Sequence, residues 1–412
     1  MILERKTLPG LIDDINRPWI SIIIGARQTG KTTLLNEIIK KSPSQALYLN
    51  LENPFHFDVL REGYKSLRQE IESETAMIVI DEFHYYKNIT SVFKAFYDLH
   101  PGIKIFASGS SSLEIHRHLK ESLAGRMKKT ILYPLSFEEW LTQFGAALPE
   151  NSLSPLPVAL RQEIDKQITT FIRFGSLPGL VHLRDETEMR EYLSEMYQAY
   201  IQKDIKTFLK EESIFSFNKL THLLALHSGQ QLNLNQLSKA CGLNMRQIRR
   251  QIEILSATFV IHILPPFHNN RRKELSKLPK VYFYDTGMAN AISRDFRRPS
   301  QRPDGGALLE TFVYHEIKKS LDASFDLFYW RTADKKEVDF VLVKDRQPVP
   351  VEVKSNWSEK RIPMGLRQFL NVYPETQSAV VINHAIHDKI MVDGREIFFL
   401  PPYYASKLVN LF

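Results

Sequence analysis

Gly25-Ala26-Arg27-Gln28-Thr29-Gly30-Lys31-Thr32 sets two glycines, a lysine and a hydroxyl in the spacing G-x-x-x-x-G-K-[ST]. Glycine lets the chain turn sharply, and the N–H groups of such a loop and of the helix after it cradle phosphate. Lys31 is expected to reach the β- and γ-phosphates of ATP and Thr32 to offer its hydroxyl to Mg2+, with Thr33 beside them in the nucleotide contact set. Further along, Met77-Ile78-Val79-Ile80 is an apolar run that ends in Asp81-Glu82. Buried strands of this kind deliver their carboxyl ends to the ligand edge of a sheet, which places both acids beside the phosphates. Asp81 is then the Mg2+ partner, largely through water, and Glu82 the group that orients or deprotonates the attacking water.

Two further residues belong to this set by type. Ser110, in Ala107-Ser108-Gly109-Ser110-Ser111-Ser112, is a candidate sensor of the γ-phosphate or, equally, a helix cap. Arg126, in Leu123-Ala124-Gly125-Arg126, is a candidate charge-stabilising arginine within the chain or across a subunit interface, or else an ordinary surface arginine.

A second constellation lies near the C-terminus. Glu310 sits on a helix that opens at Gly306, and two strands follow, Glu337 to Val343 and Val349 to Lys354, around a turn at 344–348. Adjacent strands bring Asp339 near Glu352 and Lys354, which share one face by the period of two. Three carboxylates can hold one or two Mg2+ or Mn2+ ions that activate water against a phosphodiester, with Lys354 stabilising charge. The same residues also suit a fold that binds DNA without cutting it, or a plain exposed hairpin. Tyr329-Trp330-Arg331 just upstream is either a base-stacking patch or core.

Between these sites, Leu234 to Ala240 suits a short helix, Cys241-Gly242-Leu243 a turn, and Asn244 the cap of a second helix running to about Ala257. A strand-like run, Phe259 to Leu264, follows as a possible wing. Residues 235–275 carry Lys239, Arg246, Arg249, Arg250, Arg271, Arg272 and Lys273 against Glu253 and Glu274. Arg246, Arg249 and Arg250 fall at i, i+3, i+4 and share a helix face that would meet DNA; the alternative is a winged-helix module used for protein packing.

The elements that must position these groups are readable in outline. Apolar runs at 20–24, 46–51, 77–80 and 103–107 alternate with helical stretches such as 91–99. That alternation predicts a parallel sheet covered on both faces. Residues 145–157 read as a Pro- and Ser-rich boundary, 158–228 as mostly helix with a break at Phe174-Gly175-Ser176-Leu177-Pro178-Gly179, and 291–306 as a polar linker. The expected organisation is 1–145 phosphate-loop domain, 146–228 helical region, 229–300 winged helix and 301–412 nuclease-like α/β domain.

The 412 residues, 43% hydrophobic and 25% charged, exclude a disordered or collagen-like chain. A single cysteine, Cys241, excludes a disulfide framework and a cysteine-built zinc site, and fits a reducing compartment. No apolar run approaches the ~20 residues of a membrane span, and the N-terminus lacks the pattern of a signal peptide, so a cytoplasmic location is expected. The net charge of +7 is too small to identify a nucleic-acid partner alone.

The strand–GxRQxGKTT–helix, Asp81-Glu82, "SGSSS" and "LAGR" followed by "YPLSFEEW" (133–140) together resemble prokaryotic AAA-class P-loop ATPases. That group carries a characteristic C-terminal domain of unknown function. D-x12-E-x-K, from Asp339 to Lys354 with Glu310 as the helical acid, is similar to the PD-(D/E)xK nuclease superfamily, with Val338 where that motif has proline. The resemblance implies a P-loop NTPase fold, a helical and winged-helix middle and a restriction-endonuclease-like α/β end. It also implies an ATPase that couples nucleotide state to DNA binding and metal-dependent cleavage, as a homo-oligomer. The competing expectation is a nucleotide-dependent signalling switch or scaffold whose later domains bind proteins.

Overall fold

A computed structural model describes residues 3–43, 45–110, 122–149, 156–183, 185–205, 214–267 and 278–412. Ser111 and Ser112 of the serine run, and Arg271, Arg272, Lys273 and Glu274 of the basic segment, lie outside the described residues. The chain divides into two compact units: Met1–Leu135 with Leu177–Gly179 and Ile252–Val260, and Ser136–Ser176 with Leu180–Gln251 and Ile261–Phe412.

The first unit is built on strands β1 (Ile20–Ile24), β2 (Gln45–Asn50), β3 (Thr75–Asp81), β4 (Lys104–Gly109) and β5 (Met127–Ile131). They pair in the order β2-β3-β4-β1-β5, and every pairing is parallel. Every residue of β1 and β4 is buried, so the apolar runs reflect a sheet covered on both faces. Leu34, Leu35 and Ile38 of the helix Lys31–Lys41 pack with Ile23, Val79 and Phe106 in one of its cores. The strand order has a chemical consequence: β4 lies between the strand entering the phosphate loop and the strand ending in the two acids.

The second unit holds a six-stranded sheet from β8 (Phe325–Arg331), β9 (Glu337–Lys344), β10 (Gln347–Val353), β11 (Ser378–Ile382), β12 (Asp388–Val392) and β13 (Arg395–Leu400). Their order is β12-β13-β11-β10-β9-β8, with parallel β10–β11 and β11–β13 pairs at the centre and antiparallel pairs outside. The β9–β10 hairpin turns on Asp345-Arg346, both at positive φ (49° and 66°), as a two-residue turn requires. The same unit contains a two-stranded antiparallel ribbon, β6 (Ile261–Leu264) with β7 (Lys280–Phe283).

The helix Leu234–Cys241 ends on Gly242 at φ 68°. The helix Met245–Ala257 then starts from a reciprocal cap: Gln247 N–H donates to Asn244 Oδ1, and Asn244 N–H to Gln247 Oε1, both at 2.9 Å. This is the helix–turn–helix spacing expected of the middle region.

Two expectations about organisation are revised. Residues from Ser136 onward pack with the second unit, because Phe137 and Trp140 form edge contacts with Phe171, and Phe137 with Phe312. Residues 291–306 are not a free linker. The buried Arg302 guanidinium binds Asp304 through two hydrogen bonds and also donates to Asn290 Oδ1 and the Asp295 carbonyl. Polar composition alone does not distinguish a solvated linker from a turn knitted by one arginine.

Buried neutral histidines give the second unit a pH-dependent stability. Burial, with help from Lys319, pushes His315 down to about 3 despite its hydrogen bond to the Phe283 carbonyl. Burial also holds His262, stacked on Tyr284, well below its ordinary value. Below pH 6.5, the ordinary histidine value, the unfolded chain binds protons that the folded one refuses, so stability is lost as pH falls toward 3. The expected slope is ~1.4 kcal/mol per pH unit for each histidine. Urea unfolding at pH 7, 5.5 and 4 should show it, and His315→Asn should flatten the slope.

Candidate nucleotide site and acid cluster

The phosphate loop follows directly from β1. Gly25 packs so closely that a Cβ there would overlap the Leu132 carbonyl, and Gln28 and Gly30 sit at positive φ (60° and 91°). Thr29 Oγ1 donates to the Ala26 carbonyl at 2.9 Å and braces the turn. The buried Lys31 ammonium donates to the Gly25 and Ala26 carbonyls at 3.1 and 2.9 Å, resting across the mouth of the loop. Arg5 clamps the loop from outside through the Thr29 and Tyr133 carbonyls, each at 2.6 Å. Sequence reading missed Arg5, since no local pattern links residue 5 to residue 29.

Thr32 and Asp81 meet: the hydroxyl donates to Asp81 Oδ2 at 2.6 Å. Ser108 from β4 donates to Asp81 Oδ1, and Tyr48 from β2 donates to Oδ2 at 3.2 Å. Burial and the adjacent Asp81 push the Tyr48 phenol up, so it remains a donor. The Thr32 hydroxyl and Asp81 carboxylate stand together at the carboxyl edge of the sheet, and this donor set fits Mg2+.

Glu82 adopts the left-handed conformation, φ 53°. Its Oε2 lies 3.1 Å from His84 Nδ1 and accepts from Ser110 N–H at 3.3 Å. Burial opposes its charge, but the His84 hydrogen bond and the Lys31 charge outweigh burial and hold its pKa down to about 2. Glu82 is therefore a carboxylate throughout the neutral range. The Ser110 hydroxyl faces His84 Nε2 at 3.3 Å, so Ser110 serves the Glu82–His84 pair. His84 thus belongs to this network through both ring nitrogens.

Arg126 does not join the loop of its own chain. Its carbonyl accepts from Ile20 N–H at the start of β1, whereas the loop leaves the strand's other end, about 13 Å away at 3.3 Å per residue. Its guanidinium pairs with Asp98 at 3.0 Å, beside the Tyr97 ring. Sequence gave the residue type but not the edge of the sheet on which it stands.

In the second unit the expected acids converge. Asp339 Oδ2 accepts from Val353 N–H at 2.8 Å across the β9–β10 pair, and Lys354 Nζ pairs with Glu352 Oε1 at 2.6 Å. Burial, then Glu310 and Glu352, push the Asp339 carboxyl well up, and burial raises Glu352 against the pull of Lys354. The ribbon strand β7 contributes two residues that sequence reading missed. Lys280 Nζ donates to Glu310 Oε1 at 2.9 Å, pairs with Glu337 Oε1, and lies 3.9 Å from Asp339 Oδ1. Tyr282 donates to the same Glu310 oxygen at 2.6 Å. A lysine at the head of the apolar run Val281-Tyr282-Phe283-Tyr284 was the available signal, because a buried lysine must be paired.

Glu310, Asp339 and Glu352 are thus brought into one cluster but do not form a ready metal site. Among the described residues no group of three His, Cys, Asp or Glu side chains stands in metal-holding geometry. The arrangement does not fit a divalent ion as it stands, because an ammonium already draws on Glu310, Glu337 and Asp339. Tyr329 and Trp330 are buried core residues, and Arg331 pairs with Glu337 at 2.8 Å, so the triplet is no stacking patch. Arg246, Arg249 and Arg250 are all exposed on the helix Met245–Ala257, and the free Cys241 is buried.

Residues 17–141 match a family described as an AAA domain, and the parallel sheet around the loop is that of a P-loop NTPase. Residues 165–298 and 305–402 match two domains of unknown function, DUF8612 and DUF4143. An uncharacterized protein of Methanocaldococcus jannaschii is 25% identical over 391 residues, 92% of this chain and 85% of its own. One from Mycobacterium tuberculosis is 24% identical over 359 residues, 86% of this chain and 74% of its own. Among solved structures, a Walker-type ATPase of Pyrococcus abyssi aligns with a TM-score of 0.48 at 15% identity, over 71% of this chain and 96% of its own. Among the described residues no helix is long and apolar enough to cross a membrane.

Proposed function

We propose that the protein binds and hydrolyses ATP in its first unit and couples nucleotide state to engagement of DNA by its second. The observation that carries the ATPase reading is the convergence of Lys31, Thr32, Asp81 and Glu82 at one sheet edge, bridged by Ser108 of β4 and by Ser110 just beyond its end. Gly25 to Thr33 would hold the phosphates, with the Lys31 ammonium turning from the loop carbonyls to the β- and γ-phosphates. Thr32 and Asp81 would hold Mg2+, which supplies charge neutralisation. Glu82, ionised and aimed by His84 and Ser110, would orient or deprotonate water attacking the γ-phosphate. Arg126 would reach a phosphate only in a neighbouring subunit of a homo-oligomer. Nucleotide-dependent rearrangement would carry the ATP state to the helix–turn–helix and its ribbon.

DNA engagement rests on the exposed Arg246, Arg249 and Arg250, with the ribbon as the wing. Three phosphate contacts contribute roughly 2.7 to the salt slope of log K. The variant Arg246→Ala/Arg249→Ala/Arg250→Ala should therefore weaken duplex binding at low salt and reduce the slope by about that amount. A slope unchanged in the variant would remove these arginines from the interface.

A second reading is favoured by Lys280: the C-terminal unit binds its partner without cutting it, as a nucleotide-controlled switch or scaffold. Cleavage by Glu310, Asp339, Glu352 and Lys354 with Mg2+ or Mn2+ would require the ammonium to leave. Incubating linear, circular and single-stranded DNA with either metal, with and without ATP, separates the readings when Asp339→Ala is the control. Cleavage lost in that variant supports a live nuclease; intact DNA alongside ATP turnover supports the switch.

A further inference from the structure

Taking a lysine ammonium out of water is expensive, and it stays buried only where anions compensate it. The Lys280 side chain is 3% exposed. Burial works against its charge, but Glu310, Asp339 and Glu337 outweigh burial and raise its pKa. Its Nζ also lies 5.5 Å from the Tyr329 ring centre, and Tyr329 in turn accepts from Gln231 Nε2 at 2.9 Å. The residue is therefore fixed in place by the fold. Arg331 on Glu337 and Lys354 on Glu352 supply the two other cations of the cluster.

A divalent ion such as Mg2+ or Mn2+ needs several of these carboxylate oxygens for itself, at about 2.0–2.6 Å. Glu310 Oε1 already accepts from both Lys280 and Tyr282, and Glu337 Oε1 is taken by Lys280. Glu352 Oε2 is buried and has no hydrogen-bond partner. Glu352 feels both Glu310 and Lys280 electrostatically, so this acceptor belongs to the same charge cluster.

We propose that the Lys280 ammonium is the resident cation of this cluster, a tethered replacement for a divalent metal, and that the cluster gains a divalent-cation site only when this ammonium is removed. The ribbon strand β7 thereby ties the middle of the chain to the C-terminal sheet by charge. The inference concerns the second unit alone and stands whether or not the first unit hydrolyses ATP.

The test titrates Mn2+ into the nucleotide-free full-length protein by calorimetry, with thermal melts alongside, for wild type, Asp339→Asn, Lys280→Met, Lys280→Gln and the double variant Lys280→Met/Asp339→Asn. Wild type should show no Mn2+ binding that Asp339→Asn abolishes. Lys280→Met or Lys280→Gln should gain a site at least ~10-fold tighter than any in wild type, with a Tm that rises on adding Mn2+. The double variant should lose both effects. A wild-type chain that binds Mn2+ in an Asp339-dependent way would overturn the proposal, independently of how well the lysine variants fold. So would a folded Lys280 variant that gains no site.

Discussion

Glu82→Gln is expected to retain ATP and to lose roughly 100- to 10,000-fold in kcat, the range for removing a positioned general base. Glutamine keeps the shape of the side chain and can still accept from Ser110 N–H, so the loop and the Mg2+ partners remain in place. What it loses is the charge that His84 and Lys31 hold ionised at a pKa of about 2. Lys31→Ala should differ in kind, losing nucleotide affinity together with turnover, because its ammonium rests across the mouth of the loop on the Gly25 and Ala26 carbonyls. Nucleotide binding by equilibrium dialysis and phosphate release from purified variants distinguish the two. Equal kcat in wild type and Glu82→Gln would remove Glu82 from the reaction.

Gly287→Ala carries the largest expected cost to stability, about 3 kcal/mol or more. The helix Thr286–Ser293 meets the end of the helix Val158–Phe174, where the last carbonyls run out of helical N–H donors beyond the Gly175 bond to Phe171. Thr286 Oγ1 donates to the Phe171 carbonyl at 3.2 Å, and Asn290 Nδ2 to those of Ile172 and Arg173 at 3.0 and 2.9 Å. Asp285 Oδ2 accepts from Ser176 N–H at 2.7 Å and completes the join. The approach is so close that a Cβ at 287 would overlap the Phe174 carbonyl and fall 2.7 Å from Gly175 N. Backbone on both sides must then shift. A wild-type urea midpoint for Gly287→Ala, followed by tryptophan fluorescence, would contradict this packing.

How much of this could be read from sequence depended on how local the signal was. The phosphate loop, the strand before it and the acids closing β3 are contiguous patterns, and each occupies the expected element. Asn244 is the expected cap for the same reason. The Asp339–Glu352 neighbourhood was also accessible, because a hairpin converts a gap of twelve residues into adjacency. Lys280, Tyr282, Arg5 and Ser108 were not singled out, since each acts on residues distant in the chain and sits in a segment with another evident purpose. Arg126 shows the converse: its type suited catalysis, but only strand direction reveals that it stands at the far edge of the sheet. Arg302 likewise turns a polar stretch into a fixed turn through partners that no periodicity marks.

The most direct test of the central claim is duplex DNA affinity with no nucleotide, with ADP and with ATP, measured for Glu82→Gln and Lys31→Ala at one fixed salt concentration. Nucleotide coupling predicts that ATP shifts the DNA affinity of Glu82→Gln, which holds ATP without turning it over, and leaves Lys31→Ala unmoved. DNA affinity that is absent, or identical in all three nucleotide states of Glu82→Gln, would contradict it.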